Sequence, residues 1–404
     1  MNEKQYWIML AGIFGPGNRN IWKLMKTCST PSEGYGRICE GKYTLTPGEK
    51  ERFSLWTKEK AGETVRECEL KDIKIITFSD SSYPSGLKTI FNPPAVLYAC
   101  GNTACLNDEV SVAVVGTRKP SQYGYDAAYI ISGELAKAGF TTVSGFATGI
   151  DSACHRGTLS AGGSTIAVLG CGPENDYPKS NSDIRNAVTE KGVLISEFPP
   201  GTPPLPKNFP LRNRIISGLS LGVFIAEAPL RSGALITAEC AIEQGRDLFC
   251  LPPSDIFSKS FQGVVKYLRD GAVPVFSHLD IIYEYCSAFS HRLSPPSPSD
   301  EYVSGRTDSL FFGENEADLP AETKGISKAP AEIYTAEKKN LSVKFDFSDV
   351  QMKISELLLN GPLHLDEIAE RTAISMSDLL MEITDMEIMG AVKSLPGKNY
   401  TLNV

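Results

Sequence analysis

Seven short apolar runs, rich in Val, Ile, Leu and Phe, punctuate residues 111–276 and constrain the fold more than any other feature. They are SVAVVG from 111, TTVSG from 141, STIAVLG from 164, VLISEF from 193, GVFIAEA from 222, DLFCLPP from 247 and PVF from 274. None alternates polar and apolar residues, so these are not strands with one wet face. Between them lie helix-length segments such as YGYDAAYIISGELAKAG and ALITAECAIEQG, with Gly at the exits. Strands alternating with helices predict a doubly wound α/β domain with a mostly parallel sheet covered on both faces.

The flanks read differently. Residues 1–75 predict a small helical domain with Trp7, Ile8, Leu10, Ile21, Leu24 and Met25 as its core. Within it, IFGPGNRNIWKLM sets a Gly-Pro-Gly turn between two helices, a helix-hairpin-helix-like (SAM-like) arrangement whose backbone amides could meet a phosphate or simply turn the chain. Residues 76–109 read as an extended, Pro-rich lead into the sheet, and the α/β domain spans 76–286. Residues 287–345, rich in Ser, Pro, Gly and charge, predict a flexible linker. Residues 346–404 read as three helices and a terminal hairpin, the order of a winged helix. That domain carries ten acids against four bases, and its third helix holds Asp378, Glu382, Asp385 and Glu387 without a base. Phosphate would repel such a helix, so protein contact or plain packing is favoured over groove reading.

Composition narrows the function. The formal net charge is −8, and residues 110–280 hold fifteen Lys or Arg and fifteen Asp or Glu, which argues against broad coating of duplex DNA but leaves room for a narrow lined groove. No run is long enough to span a bilayer and no export signal stands at the start, so a cytoplasmic protein without membrane contact is expected. Ten scattered cysteines without a CxxC pair read as reduced core residues, and neither a metal nor a cofactor is expected.

Four turns at strand exits favour anions. In VAVVGTRKPSQYG, Gly116 lets backbone approach a ligand, Thr117 follows, Arg118 offers a planar fork, and Ser121 caps the next helix or donates to the same anion. In SGFATGIDSACHRG, Ser144 and Gly145 sit near a second turn, Asp151 is a candidate cap for the helix that follows, and His155 reads as a structural helix histidine. Lys207, Phe209, Arg212, Asn213 and Arg214 crowd NFPLRNRIISG, with Phe209 either a stacking face for a base or a core residue. Ser232 and Gly233 open a helix after Glu227. Ligands of open α/β sheets bind at strand carboxyl ends, so convergence of these turns predicts a phosphate-binding rim for single-stranded DNA.

Taken in order, VVGTRKPSQYG, SGFATGIDSACHRGTL, TIAVLGCGPENDYP, LISEFPPGTPPLPKNFPLRNRIISGLS, EAPLRSGALITAECAIEQGRDLFCLP and LRDGAVPV resemble the DNA-processing protein A (DprA/Smf) family, densely over 76–285. The resemblance implies an extended Rossmann-like domain that binds single-stranded DNA, dimerises and helps load the RecA recombinase during natural transformation. It implies contacts at Gly116, Thr117, Arg118, Ser121, Lys207, Phe209, Arg212, Asn213, Arg214, Ser232 and Gly233, and no catalytic residue. Three departures stand out: GTR replaces the usual GSR, Thr148 stands where an arginine is frequent, and LPPS and FQGVV replace VPGS and GPN. The alternative is a nucleotide-processing enzyme resembling phosphoribohydrolases of the same Rossmann group, with Glu227 or Glu239 as acid, although their PGGxGT signature is missing.

Overall fold

The computed structural model describes residues 2–293 and 347–402, apart from 360, 373, 390 and 396–398. The described residues form two units, one up to residue 293 and one from residue 347.

The first unit opens with five helices: α1 (Glu3–Phe14), α2 (Asn20–Met25), α3 (Pro31–Cys39), α4 (Pro47–Leu55) and α5 (Lys58–Leu70). Their starts follow local chemistry. Asn2, Thr30, Thr46 and Thr57 each cap the helix they precede by accepting a backbone N–H, and Pro31 and Pro47 occupy first-turn positions where no donor is lost. Trp7, Ile8, Leu10, Ile21 and Leu24 are buried together, with Met25 packed at their edge, as the apolar spacing predicts. The Gly-Pro-Gly turn joins α1 to α2 with Gly15 and Gly17 at positive φ. Its amides do not face an open surface: Gly17 N–H donates to Glu197 and Asn92 donates to the Gly17 carbonyl, so the turn docks on the sheet domain.

The α/β part runs β1 (Lys74–Thr77), α6 (Ser85–Lys88), β2 (Val96–Gly101), β3 (Ser111–Val115), α7 (Gln122–Lys137), β4 (Thr141–Ser144), α8 (Ile150–Ser160), β5 (Thr165–Leu169), α9 (Ser182–Lys191), β6 (Val193–Ser196), α10 (Asn208–Gly218), β7 (Gly222–Ile225), α11 (Ala234–Glu243), β8 (Asp247–Cys250), α12 (Gln262–Arg269), β9 (Val273–Pro274) and α13 (His278–Cys286). The nine strands lie in the order β1-β2-β6-β5-β4-β3-β7-β8-β9. From β6 to β9 every pairing is parallel, and β1 and β2 add an antiparallel edge from the stretch read as a plain extended lead. All seven apolar runs became strands, and Val112, Val114, Val143, Val168, Ile195, Val223 and Phe249 are sealed from solvent between the helical layers. Sequential strands step away from β3 on one side, while the chain returns to its other side as β7. That reversal makes the β3/β7 boundary the switch point of the sheet.

One segment departs from its reading. NFPLRNRIISG, which reads as a turn at a strand exit, forms helix α10 over residues 208–218. Side chains two apart on a helix point about 200° apart, so Arg212 and Arg214 face different surroundings. Residues 287–293, assigned to the linker, lie against this unit: Leu293 is buried, and Arg292 bonds Asp108 and the Gly139 carbonyl. The rest of the linker, residues 294–345, falls outside the described residues.

The second unit holds α14 (Asp349–Leu358), β10 (Leu363–His364), α15 (Leu365–Thr372), α16 (Met376–Ile388), β11 (Val392–Leu395) and β12 (Asn399–Leu402), with sheet order β10-β12-β11. Ile354, Leu358, Ile368, Leu379, Ile383 and Met386 form its core. Asp378 and Asp385 of α16 are exposed, so the acidity noted in the sequence lies on the surface. Among the described residues, no helix is long and apolar enough to cross a membrane.

Candidate nucleic-acid interface

A cleft of about 580 Å³ opens at the carboxyl ends of β3 and β7. Each wall comes from a different part of the chain. The β3–α7 turn supplies Gly116, Thr117, Arg118 and Lys119, α10 supplies Phe209, Arg212 and Asn213, and the β7–α11 turn supplies Arg231, Ser232 and Gly233. A smaller cavity of about 40 Å³ adjoins it, walled by Arg118, Gly145, Thr148, Tyr177 and Phe209.

Arg118 is exposed, and its guanidinium stands 5.4 Å from the Phe209 ring centre. Tyr177 approaches the same ring at 5.8 Å between centroids, while Arg212 lies 5.9 Å from it. Phe209 is half-buried, so one aromatic surface is held between two cations and still meets the cleft. An aromatic ring beside an exposed guanidinium has the chemistry to stack a base next to a fork that fits a phosphate.

Arg212 is placed differently from Arg118. Only 4% of it is exposed, and its Nη1 donates to the Gly145 carbonyl at 2.6 Å and to the Val168 carbonyl, while Nε donates to Asn213 Oδ1. Burial pushes its pKa down to about 10, against the attraction of nearby Asp151. Burial likewise raises the Asp151 pKa, opposed by Arg212 and by the Ala147 N–H that the carboxylate accepts. Arg212 therefore ties the ends of β4 and β5 together and lends positive charge to the cleft floor. Gly145 is required here: a Cβ would stand 2.6 Å from both Arg212 Nη2 and Asp151 Oδ2.

Glu227, fully buried at the end of β7, sets the shape of the Arg118 turn. Its Oε2 accepts from Ser121 N–H at 2.9 Å and Ser121 Oγ at 2.6 Å, and its carbonyl accepts from Thr117 N–H. Ser121 Oγ also caps α7 through Gly124 N–H, so this hydroxyl is committed to the protein rather than to an anion.

The remaining sequence-derived residues divide. Gly116, Thr117, Asn213, Ser232 and Gly233 line the cleft, with Asn213 donating to the Gly233 carbonyl. Lys207 is exposed between the cleft-lining Pro206 and Phe209. Ser144 lines neither cavity; it is sealed in the sheet with its hydroxyl donated to the Val114 carbonyl. Arg214 leaves the group entirely, bonding Glu197 at 2.8 Å, the Asn92 carbonyl and the Leu211 carbonyl. Lys119, Tyr177 and Arg231 were not selected from the sequence although all three line the cleft. Lys119 was legible as a second cation beside Arg118, whereas Tyr177 arrives from the 170–181 segment, where no spacing signal marks it. Glu239 is exposed on α11 and lines neither cavity.

His155 has a structural place. It is fully buried on α8, with Nδ1 2.8 Å from Thr165 Oγ1, and burial lowers its pKa from 6.5 to about 3. The unfolded chain binds a proton near pH 6.5 that the folded ring refuses, so this contribution to stability is full above that pH and is lost as the pH falls toward 3. Its slope approaches about 1.4 kcal/mol per pH unit. Denaturant midpoints measured between pH 7 and 4 are expected to fall less steeply for His155→Gln than for the wild type; parallel curves would contradict this.

A doubly wound sheet with a cleft at its switch point has the architecture in which open α/β sheets place their ligands. The family model for DNA recombination-mediator protein A matches residues 74–286, and that for the DprA winged helix domain matches residues 344–398. Protein Smf of Synechocystis sp. is 30% identical over 99% of this chain and 98% of its own length. DNA processing protein DprA of Bacillus subtilis is 40% identical over 52% of this chain and 71% of its own. The X-ray structure of DNA processing protein A from Streptococcus pneumoniae superposes with a TM-score of 0.60 at 34% identity, covering 69% of this chain and 97% of that one. The chain belongs to the DNA recombination-mediator protein A family.

Proposed function

We infer that the cleft binds single-stranded DNA and that the protein, as a recombination mediator, hands the bound strand to the RecA recombinase during DNA uptake. The observation that carries the first step is the exposed Arg118 guanidinium facing Phe209 at the switch point, with Arg212, Lys119 and Arg231 around the same cleft. A single strand offers an unstacked base to the ring and phosphates to the cations together. A duplex cannot, because its bases are stacked inside and its backbone calls for a broad basic face that a balanced domain lacks. Family membership supports the mediator role, and the acidic surface of the winged-helix unit suits contact with protein rather than DNA. The family resemblance likewise supports a homodimer. The reading is one of binding without bond cleavage. The test is competition between a single-stranded oligonucleotide and its duplex for the full chain: preference for the single strand is expected, and equal or reversed preference would overturn the reading.

A further inference from the structure

A second basic and aromatic surface lies on the other side of α10 from the cleft. Phe91 is 76% exposed, and the Arg19 guanidinium stands 4.3 Å from its centroid. Nearby, Trp22 and Phe78 pack at 4.5 Å between centroids, Lys88 Nζ lies 5.8 Å from the Phe78 ring, and Lys23 is exposed on α2 next to Trp22. Trp22 donates to the Pro93 carbonyl, which fixes α2 against the loop that carries Phe91.

The charge pattern is one-sided. Residues 15–32 contain Arg19, Lys23 and Lys26 and no acid; residues 81–107 contain Lys88 and no acid, in a chain with 48 acids and 40 bases. Among the described residues none of these four cations is in an ion pair. The acid just before the second stretch, Asp80, is turned inward to the Thr77 N–H. The surface is also continuous with α10. A Cβ at Gly17 would stand 3.1 Å from Leu211, which is 39% exposed, and Arg214 holds the Asn92 carbonyl beside Phe91. An α-helix is about 10 Å across, so a strand leaving the Phe209 side of α10 needs only a few nucleotides to reach the far side.

We propose that single-stranded DNA leaving the cleft crosses α10 at Leu211 and lies on the Arg19–Phe91 surface, with a base on Phe91 and phosphates at Arg19, Lys23 and Lys88. This rests on the reading of the cleft as a single-strand site and extends it: the helical domain is part of the nucleic-acid interface, through side chains rather than through the amides of its Gly-Pro-Gly turn. Base stacking and phosphate neutralisation both tolerate any sequence, so the added contact reads strand length.

The experiment is a titration of the full chain with oligothymidylates of increasing length, for the wild type, Arg118→Ala and the triple variant R19A/K88A/F91A. Wild-type affinity is expected to rise with length after the cleft is filled. The triple variant, altered only at exposed side chains, keeps wild-type affinity for the shortest oligonucleotide that binds, which also shows that it is folded, and loses about tenfold on the longest. A triple variant that follows the wild type at every length overturns the proposal while leaving the cleft reading intact. Absence of binding to the short oligonucleotide, or no effect of Arg118→Ala on it, overturns the cleft reading and this extension with it.

Discussion

Arg118→Ala is expected to weaken binding of single-stranded DNA by about 10- to 100-fold while leaving the unfolding midpoint near that of the wild type. A hydrogen bond to a charged phosphate contributes about 1.5–3 kcal/mol, which converts to that range. Arg118 is exposed and its guanidinium lies against the Phe209 ring, so removing it costs the fold little. Arg118→Lys keeps the charge but not the planar fork, and is expected to recover only part of the affinity. Fluorescence anisotropy with a labelled oligonucleotide, beside a denaturant curve for each variant, checks both halves of the expectation. Unchanged affinity for Arg118→Ala would remove the main cation from the site.

Arg212→Ala is expected to behave in the opposite way, with a large loss of stability that precedes any question of binding. The substitution orphans the Gly145 and Val168 carbonyls and leaves Asp151, which is 7% exposed, without the cation that attracts it. Removing one member of a buried charged network costs about 3–5 kcal/mol, a large part of the stability of an ordinary domain. Arg212→Lys is not a rescue, because an ammonium cannot reach two carbonyls and Asn213 in the fork geometry. Urea unfolding followed by circular dichroism reads this directly. A midpoint equal to that of the wild type would mean that Arg212 is a surface contact after all, and loss of DNA binding by this variant is informative only once its folding has been measured.

The contrast between these two arginines shows what the sequence made legible and what it did not. β-Branched runs too apolar for a strand with one wet face could only be buried strands, so β3 to β9 and the doubly wound class followed from hydrophobicity alone. The place of the cleft followed too, because the carboxyl ends of parallel strands are where turns with Gly and small polar residues accumulate. Side-chain direction was not accessible. Arg212 and Arg214 look equivalent as letters, yet the 100° step of a helix sends one under the cleft and the other to Glu197. Ser144 had the right type for a phosphate donor, but it is the last residue of a strand and its hydroxyl turns into the sheet toward Val114. Glu227 was noted as a candidate acid; its work as the clamp of the Arg118 turn depends on a contact with Ser121 across 106 residues, which no local pattern encodes. The antiparallel pair β1 and β2 was hidden by the prolines around it, since Pro at 84, 93 and 94 flanks the strands without interrupting their ladders.

The measurement closest to the central claim is the affinity of the full chain for one oligonucleotide, as single strand and as duplex, between 50 and 200 mM salt. The account predicts tighter single-strand binding, with a logarithmic salt slope of about −0.7 for each phosphate neutralised and a shallower slope for Arg118→Ala. A duplex bound as tightly as the single strand, with a slope that Arg118→Ala leaves unchanged, would contradict it.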